Sequence, residues 1–330
     1  MIVGTDASVE SGIKARSRSR KRKIRVVRFK KGLINHCRRI FVIFLNGLLR
    51  HDWFFRALGV LNRRFQFMES VFVVYPATEK YALAYVYRRH LDKMRWTPFI
   101  GGIIFQDGKM QIMFVISSTE KEFSDKGQKE NLRTMVGRVD KIRKFLAAPN
   151  KRFAGVLPGM LLSRGLIESS VEIDVTVEAL MLALEDVKNQ KGYGNVPVIV
   201  LGGKGFIGRK LIERLNQSGV KTYCVDINGG LNWPNHLRGE AAIVINVTRK
   251  AVLSRYLPYF WEELVLINEV YPEPGDQELS QLRKIGSDSF HVTGVKAKAL
   301  PSFPRAYAGG IPCCGAWPSS TMKVLTRKLT

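Results

Sequence analysis

The stretch VPVIVLGGKGFIG (196–208) ends an apolar run in four glycines, Gly202, Gly203, Gly205 and Gly208. A tight turn needs one or two; four imply that something outside the chain comes very close to the backbone. Gly203, Gly205 and Gly208 satisfy G-x-G-x-x-G. In that pattern the first glycine makes the turn and the second admits a pyrophosphate to the main chain. The third lets the following helix pack close to the strand. Exposed N–H groups from the glycines, Lys204, Phe206 and Ile207, together with the helix dipole, would face the phosphates. The next strand-like run, VKTYCVD (220–226), ends in Asp226, placed to bond the ribose hydroxyls of a dinucleotide. No Lys or Arg follows it in INGGLNWPN, which favours NAD over NADP. Lys204 could partly reverse that preference by helping an extra phosphate. The bland alternative is a glycine-rich turn that binds nothing.

A second chemistry lies near the C-terminus, in YAGGIPCCGAW (307–317). Cys313 and Cys314 follow Gly309, Gly310 and Pro312, so the backbone there is turned and open. Basic neighbours such as Lys296, Lys298 or Arg305 would lower a thiol pKa and make either cysteine a nucleophile. Plain buried filler is the competing reading. His291, opening FHVTGVKA (290–297), is a candidate general acid or a structural strand-edge histidine. Cys224 reads as core. Tyr271 either lines a nicotinamide pocket or packs beneath its turn.

Counted from Gly202, the loop also fits G-x-x-G-x-x-G and resembles short-chain reductases and epimerases. Their chemistry needs a Tyr with a Lys four residues later. Tyr256 precedes Phe260 at that spacing, Tyr259 precedes Glu263, and Tyr271 precedes Gly275, so that class is excluded. LRGEAAIVINVT (237–248) resembles the strand of shikimate and quinate dehydrogenases that ends in an Ile-Asn-Ala-Thr-like turn beside the cofactor. The resemblance implies that Asn246 and Thr248 bind cofactor. ELVLINEVYPEPGDQELSQLRKIG (263–286) resembles their Asp-x-x-Tyr-x-Pro strand and helix, with Asn268 or Glu269 near the family's Asp. It covers about 196–295, and the family's Lys–Asp pair has no counterpart motif in 70–170. A looser resemblance is to bacterial long-chain acyl-carrier-protein reductases, which place an acyl-binding domain before the Rossmann unit. It implies a thioester-forming cysteine at the place of Cys313–Cys314, with hydride delivery to give an aldehyde.

These groups need elements to position them. After KGYGNVP (191–197), strands and helices alternate, the signature of a parallel sheet. Before it, DVTVEALMLALEDVKNQ (174–190) reads as a helix capped by Asp174 or Thr176, and 127–147 as another. SVFVVY, YALAYVY and FIGGIIFQDGKMQIMFVISS read as short strands, with Asp107–Gly108 a hairpin turn. KRFAGVLPGMLLSRGLI (151–167) reads as strand or loop around Pro158–Gly159. NHCRRIFVIFLNGLLRHDWFFRALGVLNRR (35–64) reads as one or two basic-edged helices. The expectation is an α/β chain: a Rossmann-type parallel-sheet domain preceded by an α+β substrate domain. Its parts are a basic tail over 1–34, the substrate domain over 35–190 and the NAD(P) domain over 191–300. A Cys-Cys loop and return helix follow over 301–330.

With 330 residues, 45% of them hydrophobic, the chain can bury a sizeable core, and its formal charge is +25. So strong an excess attracts anionic partners. From Lys14 to Lys31 the sequence holds no acid. Residues 14–64 set that run beside Phe41, Phe44, Trp53 and Phe54, which favours an anionic membrane surface over nucleic acid. An extension with no role is the bland reading. IFVIFLNGLL (40–49) is about half the ~20 residues needed to cross a bilayer. The four cysteines make no disulfide framework, and no Cys/His spacing suits zinc. A reduced cytosol is the expected compartment, with peripheral membrane contact allowed. The substrate is a small molecule or an acyl group; the oligomeric state is open.

Overall fold

The computed structural model describes residues 33–76, 78–226, 232–248, 252–303, 307 and 309–330. The basic stretch through residue 32, the segment 227–231 and Arg305 lie outside the described residues.

Helices α1 (33–49) and α2 (Asp52–Phe65) occupy the basic-edged segment. Strand β1 (Met68–Val74) and α3 (Glu79–Ala82) follow, then β2 (Phe99–Gln106) and β3 (Lys109–Val115). The β2–β3 hairpin turns at Asp107 and Gly108 with φ of 47° and 77°. Two positive φ values give the turn a twist that matches its strands. Next come α4 (Glu120–Ser124), α5 (Lys129–Phe145), β4 (Asn150–Phe153), α6 (Leu157–Ser163) and α7 (Val171–Lys191). Three expectations change here. YALAYVY is not a strand; it forms α3 and turns, because Ala82, Ala84, Tyr85 and Val86 are buried in near succession rather than alternately. The 151–167 segment holds a helix, with Pro158 in its first turn, where a missing N–H costs nothing. Helix α7 begins one turn early, after Ser170 rather than at Asp174.

From there β5 (Val198–Leu201), α8 (Phe206–Gln217), β6 (Thr222–Val225), β7 (Ala242–Asn246), β8 (Leu264–Asn268), α9 (Asp276–Ile285) and β9 (Ser289–Val295) alternate. The chain ends in β10 (Lys298–Leu300) and β11 (Val324–Lys328). The expected return helix is therefore a strand: Val324 and Thr326 suit a pleated edge, and β11 pairs antiparallel with β9.

The strands make two sheets, ordered β10-β2-β3-β1-β4 and β11-β9-β8-β7-β5-β6. In the second, β6, β5, β7, β8 and β9 are all parallel. Every residue of β5, β7 and β8 is buried, as a parallel sheet covered on both faces requires. This is a Rossmann-type α/β fold. Helix α7 lies between the sheets. Ala179, Leu180, Ala183, Leu184 and Val187 are fully buried, and one apolar cluster joins them to Phe72 of β1 and to Val198, Ile243 and Ile267.

Candidate functional site

In the second sheet the chain enters at β5, steps to β6 on one side, and returns to β7 on the other. Connections leave β5 and β7 in opposite directions, which opens a crevice at the C-terminal ends of those strands. The glycine turn lies at one lip and Asn246–Thr248 at the other.

Each glycine has its own reason. Gly202 has φ of 82°, and a Cβ there would meet the Val247 carbonyl at 3.0 Å and Thr248 main chain at 3.1 Å. It is the turn residue, a role the first spacing gave to Gly203. Gly203 instead packs: a Cβ would lie 2.5 Å from Cys224 Sγ and 2.9 Å from Ile212. At Gly208 a Cβ would strike the Gly202 carbonyl, so α8 can sit against the strand end only without one. Gly205 is different. It precedes α8 in an extended conformation, and a Cβ would meet nothing but the Gly202 carbonyl, at 3.2 Å. The working pattern is G-x-x-G-x-x-G. No side chain caps α8, and the first-turn amides of Phe206, Ile207 and Gly208 have no partner within the helix. The residues present fit a diphosphate: an open main-chain face meets a helix N-terminus. At the end of β6, Asp226 Oδ2 accepts the Lys204 N–H at 3.1 Å, which brings the carboxylate beside the turn. Next to α8 a cavity of about 390 Å³ is bounded in part by Asp174, Phe206, Arg209 and Lys210.

Asn246 is buried and committed to its neighbours. Its Nδ2 donates to Asn268 Oδ1 at 2.7 Å, and its Oδ1 accepts from Thr248 N (3.1 Å) and Oγ1 (2.7 Å). Asn268 donates to the Val270 carbonyl at 2.8 Å and lies 3.0 Å from His291 Nδ1. These residues knit the ends of β7, β8 and β9 together. His291 belongs to that network rather than to an open site. It is 2% exposed, and burial pushes its pKa down although Glu273 stands 3.9 Å from Nε2. Its burial and these bonds favour the structural alternative for His291 over the general-acid one.

The cysteine loop is held from both sides. Gln111 donates to the Gly315 carbonyl at 2.5 Å, Gln106 to Trp317 at 3.0 Å, and Arg152 to Ala316. All three side chains are buried in the first sheet. On the other side Ile311 and Val295 exchange two main-chain bonds of 2.9 Å. Cys313 is buried and Cys314 half-buried, its Sγ accepting the Gly155 N–H at 3.4 Å. The expected lowering of their pKa is reversed: burial pushes Cys314 up to about 12 and Cys313 well above its ordinary value. Lys296 and Lys298 are exposed and act on neither thiol. Cys224 is also not core. It is exposed, because β6 is an edge strand.

Around the loop stand Tyr75, which the sequence did not single out, and Tyr271 and Glu269, which it did. Tyr75, just past β1, accepts the Val156 N–H at 3.1 Å, and its phenol is pushed up mainly by burial. Tyr271 lies 5.5 Å from Tyr307 and 5.9 Å from Tyr81, ring to ring. Glu269 follows β8 directly. A polar residue just past a buried strand of a parallel sheet was the available signal for it. Among the described residues, no three or more of His, Cys, Asp or Glu are grouped to hold a metal ion. None of the described helices is long and apolar enough to cross a membrane.

No family model matches the chain, and no curated protein matches its sequence. Among solved structures, the chain is similar to quinate dehydrogenase from Corynebacterium glutamicum in complex with NAD. The TM-score is 0.37 and the identity 10%, over 67% of this chain and 87% of that one.

Proposed function

We propose that the chain is an NAD(P)-dependent oxidoreductase whose cofactor lies across the β5–β7 crevice. The carrying observation is the glycine turn at the point where strand order reverses. Gly205 leaves the main chain open there, and the α8 amides face outward. Asp226 beside Lys204 N supports an NAD preference, since a carboxylate would repel a 2′-phosphate. The bound nicotinamide would supply or accept hydride. The chain's own part is to seat a carbonyl, hydroxy-acid or acyl-thioester substrate between the glycine turn and the cysteine loop. Direct transfer is the better supported route, because burial keeps both thiols protonated at neutral pH. Calorimetry with NAD⁺, NADH, NADP⁺ and NADPH tests the reading. Binding of at least one is expected, NAD(H) more tightly; no uptake of any by folded protein sinks it.

A dinucleotide-binding sensor is the second reading. It is favoured by the sealing of His291 and the raised thiols, which leave three predicted catalytic groups idle. Tight binding without turnover across aldehydes, oxo acids and acyl thioesters would establish it.

The anionic-membrane partner also remains a proposal, and the early helices support it. Leu33, Ile40, Phe44 and Leu48 form an exposed apolar stripe along α1, with Trp53 exposed at the start of α2. The segment 33–65 holds one acid, Asp52, which pairs with Lys141. Vesicle sedimentation should show binding to anionic but not neutral vesicles, weakened by salt and by Phe44→Ser with Leu48→Ser. Equal binding to both vesicle types, or to neither, would refute it.

A further inference from the structure

Where the ends of β1 and β8 meet the cysteine loop stands a carboxylate that neither the cofactor turn nor the structural network uses. The Glu269 N–H donates to the Asn246 carbonyl at 3.1 Å, which sets the residue one strand from the Gly202 turn. Its side chain is half-buried. Unlike Asn246, Thr248, Asn268 and His291 at the ends of β7, β8 and β9, its carboxylate has no ion pair or hydrogen bond with the described residues. A carboxylate is costly to desolvate without a partner, so an unpaired one persists where function needs it. It lies within electrostatic reach of Tyr75 at the end of β1, and of Tyr307, Cys313 and Cys314 in the C-terminal loop. Gly155 and Cys314 close that side through the 3.4 Å bond, with Tyr75 packed on Gly155.

We propose that Glu269 is the proton-transferring residue of the cleft, acting on the oxygen of an uncharged carbonyl or alcohol substrate seated against Tyr75, Tyr307 and Cys314. The substrate class follows from the lining. The tyrosines and thiols around Glu269 are uncharged at neutral pH, so nothing among them answers a carboxylate on the reacting end. Arg152 lies within electrostatic reach of Cys314, but it is answered by Glu172 and the Ala316 carbonyl. In the reducing direction the Glu269 carboxyl gives its proton to the carbonyl oxygen. A bound reduced nicotinamide would supply the hydride equivalent to the carbon, and the carboxylate recovers a proton from water. Oxidation runs the same transfer backwards. Burial pushes the Glu269 carboxyl up to about 7, where both protonation states are populated at neutral pH. Reduction, which uses the acid form, falls as pH rises through that value, and oxidation rises.

The inference rests on the oxidoreductase reading, and Glu269→Gln separates the two. Both proteins are compared for NADH affinity, for carboxyl titration by NMR with glutamate labelled at its carboxyl carbon, and for NADH-dependent reduction of aldehydes and ketones across pH. Expected are equal NADH affinity and a carboxyl titrating near neutrality in the wild type alone. Turnover should fall about 10²- to 10⁴-fold in the variant and lose its dependence near pH 7. Equal turnover with an unchanged profile overturns the inference and leaves the reading standing, as does a wild-type carboxyl that titrates only in the ordinary range. If neither protein binds any nicotinamide nucleotide, the reading falls and carries the inference with it.

Discussion

At the scale of single residues, the glycine loop separates binding from folding. Gly205 can take a methyl group with no neighbour except the Gly202 carbonyl at 3.2 Å, whereas Gly208 cannot. Gly205→Ala should therefore keep its melting temperature within a few degrees and weaken nucleotide binding, since the methyl occupies the face a diphosphate needs. Gly208→Ala should cost about 3 kcal/mol, the upper part of the range for overpacking. Thermal denaturation and nucleotide titration of the two variants check this; a Gly205→Ala protein with native affinity would remove the diphosphate from that face. The sequence carried the glycines but not their division of labour. Both spacings fit 202–208, and only the approach of Val247 and Thr248 decides that Gly202 turns. The Glu269 cluster was illegible for another reason: its members come from the ends of β1 and β8 and from the C-terminal loop. Cys313 and Cys314 were found, but their environment was read backwards, because burial outweighs the exposed lysines nearby in sequence.

At the scale of elements, β11 shows what short-range pattern misses. A terminal segment with two lysines and an arginine reads as a solvated helix until a sheet edge is available. The edge is fastened by Asp288, bonded to Lys191 at the end of α7 (2.6 Å) and to Lys328 of β11 (2.7 Å). Burial alone would raise this carboxyl, but the two lysines outweigh it and hold the pKa below the usual value. A depressed carboxyl contributes stability that is complete above its unfolded value, about 4, and is lost as pH falls through the folded one. Asp288→Asn should cost about 1 kcal/mol at pH 7 and nothing once the wild-type carboxyl is protonated. Chemical denaturation at pH 7 and at acid pH measures the difference; a cost independent of pH would disprove the linkage. The strands β5, β7 and β8, by contrast, were legible because each is a short run buried on both faces.

At the scale of the whole molecule, α7 makes the two sheets one folding unit. Helix α7 is buried on several sides along its middle and exposes polar residues mainly toward its ends, so the sequence reads as an ordinary domain-ending helix. Leu180→Ala opens a hole in the cluster that both sheets share and should cost about 2 to 5 kcal/mol. Fluorescence of Trp96, packed with the first sheet, and of Trp261, packed with the second, should report a single midpoint that shifts together. Midpoints that separate would show that each sheet melts alone.

The last stretch of chain bears on how a ligand gets in. After β9 it crosses to pair as β10 with β2, runs through the cysteine loop, and returns as β11. Together with α7 the backbone spans the gap three times, so the halves are laced rather than joined at one pivot. A laced molecule does not swing open like a book. On the proposed reading, entry is left to the side where Tyr81, Tyr271 and Tyr307 pack ring to ring, with the backbone nearly still.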